Sequence, residues 1–225
     1  MSSLTGFAYA EQKPTIVLVH GAFAESNSWD GVIKGLQKDG YRVIGAANPL
    51  RGVSNDADYI SSIVGGIKGP IVLVGHSYGG SVIPGAANGH SNVRGLVYVA
   101  AFAPEAGESA AALSGKFPGS TLAPTLAPPV ELTDGRKDLY IDQEKFHDQF
   151  AADVPVEQAN LMAAGQRPIK DSALSEPAGQ PAWKSIPSWF VYGDNDKNIP
   201  PAAQAWMADR AKSRKPLSLR EVPTW

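Results

Sequence analysis

A glycine-flanked serine is the feature of this sequence that most directly suggests chemistry. Residues Gly75-His76-Ser77-Tyr78-Gly79 form a G-x-S-x-G pattern. The pattern follows residues 71–74, an apolar run typical of a strand buried on both faces, and the segment after it reads as a helix. A serine on a strand-to-helix turn has a strained backbone and an exposed Oγ. The pattern therefore predicts a nucleophile that attacks a carbonyl group.

A second segment offers groups that could stabilise the charge formed in such an attack. His20-Gly21-Ala22-Phe23 follows another buried-strand pattern at residues 15–19. An oxyanion hole takes one backbone N–H from the residue after the serine and another from the loop after an earlier strand. We therefore expect Tyr78 and Ala22 to be the oxyanion donors, with Phe23 beside them. His20, at a strand end, suits a structural role better than that of a base.

An acidic turn follows a later strand pattern. Gly193-Asp194-Asn195-Asp196 comes directly after residues 188–192. A carboxylate at the carboxyl end of a parallel strand lies on the same sheet edge as the serine turn, where it can orient an imidazole. We predict Asp196 as the catalytic acid and keep Asp194 as the alternative. An ordinary solvated acidic turn is the competing interpretation.

No histidine follows Asp196, although the chain order serine, acid, histidine is expected for such a site. A side chain next to Ser77 points away from it on a tight turn, and His90 follows the helix after Ser77. His147 remains the one serious alternative base, because an inserted cap can lie over Ser77. In the competing interpretation, His147 lines the pocket or packs between helices. The histidines are His20, His76, His90 and His147.

Length and composition set broad limits on the function. The 225 residues fit one α/β domain with a sizeable core. The net charge of −2 and the lack of a basic run argue against nucleic acid and anionic membrane surfaces as partners. The sequence has no cysteine, which excludes disulfides, thiolate metal sites and a cysteine nucleophile. Metal-ligand spacing is also lacking, so we expect neither a metal nor an organic cofactor.

Strand and helix patterns alternate along the chain. This alternation predicts a mostly parallel sheet covered by helices on both faces, a three-layer α/β/α sandwich. The strand patterns lie at residues 14–20, 41–45, 70–74, 94–100, 188–192 and 217–222.

One proline-containing stretch interrupts the alternation. Residues 104–186 have helical pieces near 143–152 and 155–164 and no clear buried strand. We interpret them as a small helical cap inserted into a single domain that spans residues 13–225. Residues 1–12 read as a tail or the remnant of a leader, because Ala8-Tyr9-Ala10 is similar to the end of a secretory signal. The compartment stays open between cytoplasmic and periplasmic or secreted.

Several of these segments together carry a resemblance to a known family. The chain resembles the α/β-hydrolase superfamily and, within it, small bacterial esterase-type proteins, over residues 13–222. The segments that carry the resemblance are Ile16-Val17-Leu18-Val19-His20-Gly21-Ala22-Phe23, Val74-Gly75-His76-Ser77-Tyr78-Gly79-Gly80, Leu96-Val97-Tyr98-Val99-Ala100-Ala101-Phe102-Ala103-Pro104, Phe146-His147-Asp148-Gln149-Phe150-Ala151-Ala152-Asp153 and Trp183-Lys184-Ser185-Ile186-Pro187-Ser188-Trp189.

The resemblance implies roles for particular residues and a difference at the carboxyl end. It implies Ser77 as nucleophile, Asp196 as acid, and Ala22 and Tyr78 as oxyanion donors. In similar proteins the last strand leads to a loop with the catalytic histidine and then to a closing helix. This sequence has neither, so the resemblance implies truncation before the histidine, a missing C-terminal helix and impaired activity. Apolar sheet surface left exposed would favour a homodimer or other self-association.

The predicted reaction is hydrolysis of small esters or related carbonyl compounds through an acyl-enzyme on Ser77. A catalytically silent protein that binds a small carbonyl compound is the alternative from another class, and a truncated product with no separate role is a third. A cofactor-free haloperoxidase-like enzyme and a hydroxynitrile lyase also stay open, whereas a haloalkane dehalogenase would need an aspartate in place of Ser77. The candidate pocket residues are Phe23, His76, Phe102, Phe146, His147 and Trp183.

Overall fold

The computed structural model describes residues 12–214 and 217–219. The leader-like Ala8-Tyr9-Ala10 lies outside the described residues. So do residues 220–225, which bear on the prediction that the closing helix is missing. Both of these interpretations therefore stay predictions.

The described residues form nine strands in two sheets. The larger sheet has the strand order β2-β1-β3-β4-β8-β9, and each of its neighbouring strands pairs in parallel. The smaller sheet, β5-β6-β7, is antiparallel. The strands are β1 (Thr15–Val19), β2 (Arg42–Ala46), β3 (Ile71–Ser77), β4 (Val93–Ala101), β5 (Val130–Glu131), β6 (Lys137–Leu139), β7 (Ile169–Lys170), β8 (Ser188–Gly193) and β9 (Leu217–Leu219).

Eight α-helices lie in the described part of the chain. They are α1 (Asp30–Lys38), α2 (Val53–Gly65), α3 (Gly79–Ala87), α4 (Ala110–Lys116), α5 (Gln143–Phe150), α6 (Val156–Ala164), α7 (Asp171–Ser175) and α8 (Pro201–Arg210). Short 3₁₀ turns occupy Ser26–Trp29, Ala123–Thr125 and Ala182–Lys184. Within these described helices, none has the length and apolar character that crossing a membrane requires.

Alternate residues of the central strands enter two separate cores, as a doubly covered parallel sheet requires. Ile16 and Leu18 of β1 pack with Trp29, the residue that directly precedes α1. Val17 and Val19 of the same strand belong to the larger core, which also holds Ile60 of α2 and residues of α3 and α8. The three-layer α/β/α sandwich with a mostly parallel sheet is therefore confirmed, and helices cover both faces.

The segment between β4 and β8 has the helices α4 to α7 and the small antiparallel sheet. The two predicted helical pieces correspond to α5 and α6, while α4 and α7 were not predicted. The three strands here have two or three residues each, so they leave no apolar run in the sequence. This segment supplies one wall of the cavity described below.

The strand order brings the loops that carry the candidate site residues to one edge of the sheet. The loops after β1 and β3 leave from adjacent strands, and the loop after β8 leaves two strands away from β3. Leu217 and Leu219 are exposed on β9, which lies at one end of the described six-stranded sheet. Self-association through this edge remains a prediction.

Candidate active site

Ser77 occupies the last position of β3, and α3 begins two residues later. Its backbone has a φ of +50°, a left-handed value that residues with a β-carbon rarely adopt. The pairing of β3 with β4 is irregular between His76 and Ser77, and the Phe102 N–H donates to the Ser77 carbonyl at 3.2 Å. Ser77 is therefore held on the sharp strand-to-helix turn that its sequence pattern predicts.

The glycines around Ser77 are needed because the chain passes close to itself. A β-carbon at Gly75 would lie 2.7 Å from the Gly79 carbonyl oxygen. One at Gly79 would collide with the Val19 carbonyl oxygen, and one at Gly80 with that of Phe102. Since real β-carbons do not approach other atoms this closely, the turn can form only with small residues at these positions.

The loop after β1 lies directly against the serine. A β-carbon at Gly21 would be only 2.6 Å from the Ser77 β-carbon. Phe23 has a φ of +62°, and its N–H donates to the Arg167 carbonyl at 3.1 Å. The N–H groups of Ala22 and Tyr78 donate to no backbone carbonyl within the described residues. These two N–H groups thus remain available, and their role as oxyanion donors stays a prediction.

A cavity of about 270 Å³ opens beside Ser77. Its lining has no charged side chain in the described part of the chain, and its polar side chains other than Tyr78 are three serines and one asparagine. The lining residues are Ala22, Phe23, Ser77, Tyr78, Phe102, Ala110, Ala111, Ser114, Ser120, Leu122, Ala123, Leu126, Phe150, Leu174, Asn198 and Ile199.

Two of the predicted pocket residues, Phe23 and Phe102, line this cavity. The other four lie outside the lining formed by the described residues. Phe146 is fully buried, with its ring centre 5.0 Å from that of Phe150, which does line the cavity. The Trp183 indole donates to the Pro104 carbonyl at 3.2 Å. Phe146 therefore supports the wall from behind, and Trp183 packs elsewhere.

Asp196 is nearly buried after β8 and accepts three hydrogen bonds. Its Oδ1 accepts the N–H groups of Asn198 and Ile199 at 2.8 and 3.0 Å, and its Oδ2 accepts the Gln204 side-chain amide at 2.7 Å. Asp194, the alternative acid, is exposed. Because Asn198 and Ile199 line the cavity, the loop that Asp196 organises reaches the pocket. The geometry favours Asp196 over Asp194, and its catalytic role remains a prediction.

His20 is a structural residue at the end of β1. Its Nε2 accepts the Asn48 N–H at 3.0 Å, so Nδ1 carries the proton and donates to the Gly21 carbonyl at 2.9 Å. The Asn48 side chain returns a hydrogen bond to the His20 carbonyl at 2.9 Å. Burial lowers the pKa of His20. Both ring nitrogens are engaged, so His20 keeps the shape of the loop before Ala22.

His76 lies beside Ser77 but is packed among rings. Its ring meets those of Trp29 and Phe150 edge-on, with centres 6.2 and 6.4 Å apart. Burial, with a smaller contribution from the nearby His20, lowers the pKa of His76 to about 4. His76 is therefore neutral at ordinary pH, and it lies behind the cavity wall that Phe150 forms.

The two remaining histidines have partners away from the serine. His147 on α5 makes a hydrogen bond of 3.0 Å between Nε2 and the Val154 carbonyl, and its Nδ1 lies 3.8 Å from the Asp148 carboxylate. The His90 Nε2 lies 2.8 Å from the Ser61 hydroxyl. His147 was the alternative base, and within the described residues it is not part of the cavity lining.

Some residues near the site were not identified from the sequence. Tyr78, predicted only for its backbone N–H, donates its buried hydroxyl to Asp56 on α2 at 2.9 Å. Burial raises the pKa of the Asp56 carboxyl and that of the Tyr78 hydroxyl. No local pattern in the sequence signals a contact between two residues that are 22 positions apart. Asn198 and Phe150 likewise reach the site through the tertiary fold.

The sequence is similar to several known hydrolases. A profile of the alpha/beta hydrolase family matches residues 16–223. The alpha/beta hydrolase nvfD of Aspergillus novofumigatus is 28% identical over 220 residues, covering 87% of this chain and 83% of that protein. A carbendazim hydrolyzing esterase of a Nocardioides species is 37% identical over 110 residues, covering 43% of this chain and 46% of that protein.

Solved structures share the fold at low sequence identity. Polyneuridine aldehyde esterase superposes with a TM-score of 0.79 at 17% identity, covering 94% of this chain and 92% of that one. A pyrethroid hydrolase from Sphingobium faniae gives a TM-score of 0.72 at 20% identity, with 95% and 90% covered. The family match extends over most of the sequence, and this chain therefore belongs to the alpha/beta hydrolase family.

Proposed function

We propose that this chain is a serine hydrolase that acts on small, uncharged esters or related carbonyl compounds through an acyl-enzyme on Ser77. The observation that carries the proposal is the left-handed backbone of Ser77 (φ +50°) beside a cavity whose described lining has no charged side chain. Such strain concentrates where a side chain performs chemistry. The esterase names of two relatives support an ester as the substrate class.

In the proposed reaction the Ser77 Oγ attacks the ester carbonyl carbon and its proton passes to solvent. The N–H groups of Ala22 and Tyr78 hold the oxyanion that forms. The carbon–oxygen bond to the alcohol then breaks, the alcohol leaves with a proton, and the acyl group stays on Ser77. Water attacks this acyl-enzyme and releases the carboxylic acid, which regenerates the serine hydroxyl.

We expect slow turnover from these 225 residues by themselves, because no histidine of the described part of the chain lines the cavity beside Ser77. His20, His90 and His147 each hold partners other than Ser77. Loss of a catalytic histidine costs about a millionfold in kcat, and the oxyanion hole and binding retain about a thousandfold or more over water. Ser77 is thus proposed to be reactive, with little help from a general base.

A second candidate function is binding of a small carbonyl compound without turnover. It is favoured by Asp196, whose carboxylate already accepts three hydrogen bonds from its own loop and from Gln204. The cavity beside Ser77 would then hold a neutral ligand that leaves unchanged. This candidate and the hydrolase differ in whether Ser77 reacts.

Labelling by a fluorophosphonate probe, followed by intact mass, separates the two functions. We expect one adduct on the parent chain, its loss in Ser77→Ala, and its retention in Ser91→Ala, which removes an exposed serine hydroxyl elsewhere. Absence of the adduct in the folded parent would reject the reactive serine. Stabilisation of that unlabelled chain by a neutral ester, with no product formed, would establish the binding function.

A further inference from the structure

We propose that Asp56 is a positioning residue for the oxyanion hole, acting through the side chain of Tyr78. The inference rests on the proposed function, in which the Tyr78 N–H is an oxyanion donor. Asp56 lies on α2 and does not line the cavity formed by the described residues. Its effect would reach the reacting oxygen only through the orientation of Tyr78.

The contact joins two side chains that are both fully buried. The Tyr78 hydroxyl donates to the Asp56 Oδ2 at 2.9 Å, and neither residue has measurable exposure to solvent. Tyr78 directly precedes α3, so its ring and its N–H flank the same turn. A hydrogen bond at the far end of the ring limits rotation of Tyr78 as a whole. The direction of its N–H is limited with it.

Asp56 is itself a fixed acceptor. Both of its carboxylate oxygens accept the Arg51 N–H, at 3.0 and 3.2 Å, and the Asn55 side-chain amide approaches Oδ1 at 3.3 Å. The Arg51 guanidinium is used elsewhere, since it binds Asp138 of β6 at 2.6 Å. The Asp56 carboxylate is therefore held by the Arg51 backbone in the loop before α2. The Arg51 side chain in turn binds this loop to the inserted segment.

Tyr98 shows that burial alone does not explain this contact. Tyr98 is also fully buried, yet its hydroxyl has no hydrogen-bond partner among the described residues. No protein group of the described residues accepts from this second buried tyrosine hydroxyl. Beside Tyr78, in contrast, the Asp56 carboxylate is buried as the acceptor. Burying a charged group costs free energy. We take this difference as support for a positional role of Asp56.

The kinetic test uses Tyr78→Phe and Asp56→Asn, with Tyr98→Phe as the matched control that removes a buried hydroxyl elsewhere. Ser77 labelling by the fluorophosphonate gives a limiting rate, kinact, and a binding constant, KI. We expect kinact to fall about tenfold in both variants, since misplacing a donor costs part of its effect. KI should change less than about twofold. The kinact of the double variant should be no lower than that of either single variant.

A second measurement does not depend on a reactive serine. The chain has seven tyrosines, so [¹⁵N]tyrosine labelling gives seven amide signals, and Tyr78→Phe identifies that of Tyr78. We expect Asp56→Asn to move the Tyr78 signal and Tyr98→Phe to leave it in place. If the parent chain is never labelled on Ser77, the proposed function fails, and this signal alone decides the positioning.

Three results would overturn the inference. The first is a Tyr78 amide signal that does not move in Asp56→Asn. The second is an unchanged kinact in Tyr78→Phe, a milder change that keeps the backbone N–H and a ring of the same shape. The third is an equal fall in kinact in Tyr98→Phe, which would mean that any lost buried hydroxyl loosens the site.

Discussion

Ser77 concentrates local strain at the point where the proposed chemistry takes place. Its φ of +50° lies in a region that only glycine enters at little cost. Neighbouring glycines remove the collisions that the turn would otherwise cause, but they leave the strain at Ser77 itself. A β-carbon at position 77 is therefore unfavourable for stability.

Replacing Ser77 by glycine should therefore stabilise the protein. We expect Ser77→Gly to raise the unfolding free energy by about 1 kcal/mol, because relief of left-handed strain exceeds the extra freedom that glycine gives the unfolded chain. Ser77→Ala is the matched control, since it removes the hydroxyl and keeps the β-carbon. Urea unfolding of the three proteins measures the difference.

The comparison of the two variants identifies the cause. Equal stabilisation by alanine and glycine would assign the gain to the hydroxyl rather than to the backbone. A less stable Ser77→Gly would show that position 77 is not strained.

At the level of elements, the loop that carries Asp196 is joined to α5 through Gln149. The Gln149 amide group donates to the Asn198 side-chain oxygen at 3.0 Å and to the Lys197 carbonyl at 3.2 Å. Its oxygen accepts the Thr121 hydroxyl at 3.0 Å. Gln149 is nearly buried, and both Asn198 and the adjacent Phe150 line the cavity. One side chain thus connects two walls of the pocket.

Removing this connection should loosen both walls together. We expect Gln149→Leu to lower the unfolding free energy by about 1–3 kcal/mol, because it leaves buried partners without their hydrogen bonds. Hydrogen exchange followed by mass spectrometry should show faster exchange in α5 and in residues 196–199. Gln143→Leu changes an exposed glutamine on the same helix and should leave both segments as they are. Faster exchange confined to α5 would contradict a shared connection.

The sequence identifies elements whose signals are local. The apolar runs of β1 and β3 and the glycines around Ser77 lie within a few residues of what they determine. The helix α2 begins at Val53. The Glu176 carboxylate accepts the Val53 N–H at 3.0 Å from 123 residues away. No local pattern can reveal such a cap.

The same reason explains what was missed at the site. Asp56 and Gln149 act through partners that only the tertiary fold brings near, and the strands of the inserted segment are too short to leave a periodic pattern. Phe146 and Trp183 were reasonable pocket candidates as large apolar residues, but aromatic type alone does not tell the cavity from the core. Phe23 differs because it belongs to the loop after β1, and Phe102 differs because its N–H donates to the Ser77 carbonyl.

For the whole molecule, burial of two neutral histidines next to the candidate site links stability to pH. His76 has a pKa of about 4 in the folded protein against 6.5 as its ordinary value, and burial lowers the pKa of His20 in the same direction. Below about pH 6.5 the unfolded chain therefore binds protons that the folded protein does not. Burial raises the pKa of the Asp56 carboxyl, which acts in the opposite sense.

The unfolding free energy should accordingly fall as the pH drops from about 6.5 towards 4, and the contribution of His76 should be constant at higher pH. Between about pH 7.5 and about pH 5 we expect His76 alone to account for about 2 kcal/mol of lost stability. His76→Phe should remove this part of the pH dependence whatever it does to stability at neutral pH. Urea unfolding across this pH range measures the slope of the unfolding free energy against pH for each protein. If His76→Phe did not reduce this slope, His76 would accept a proton inside the folded protein as readily as in water.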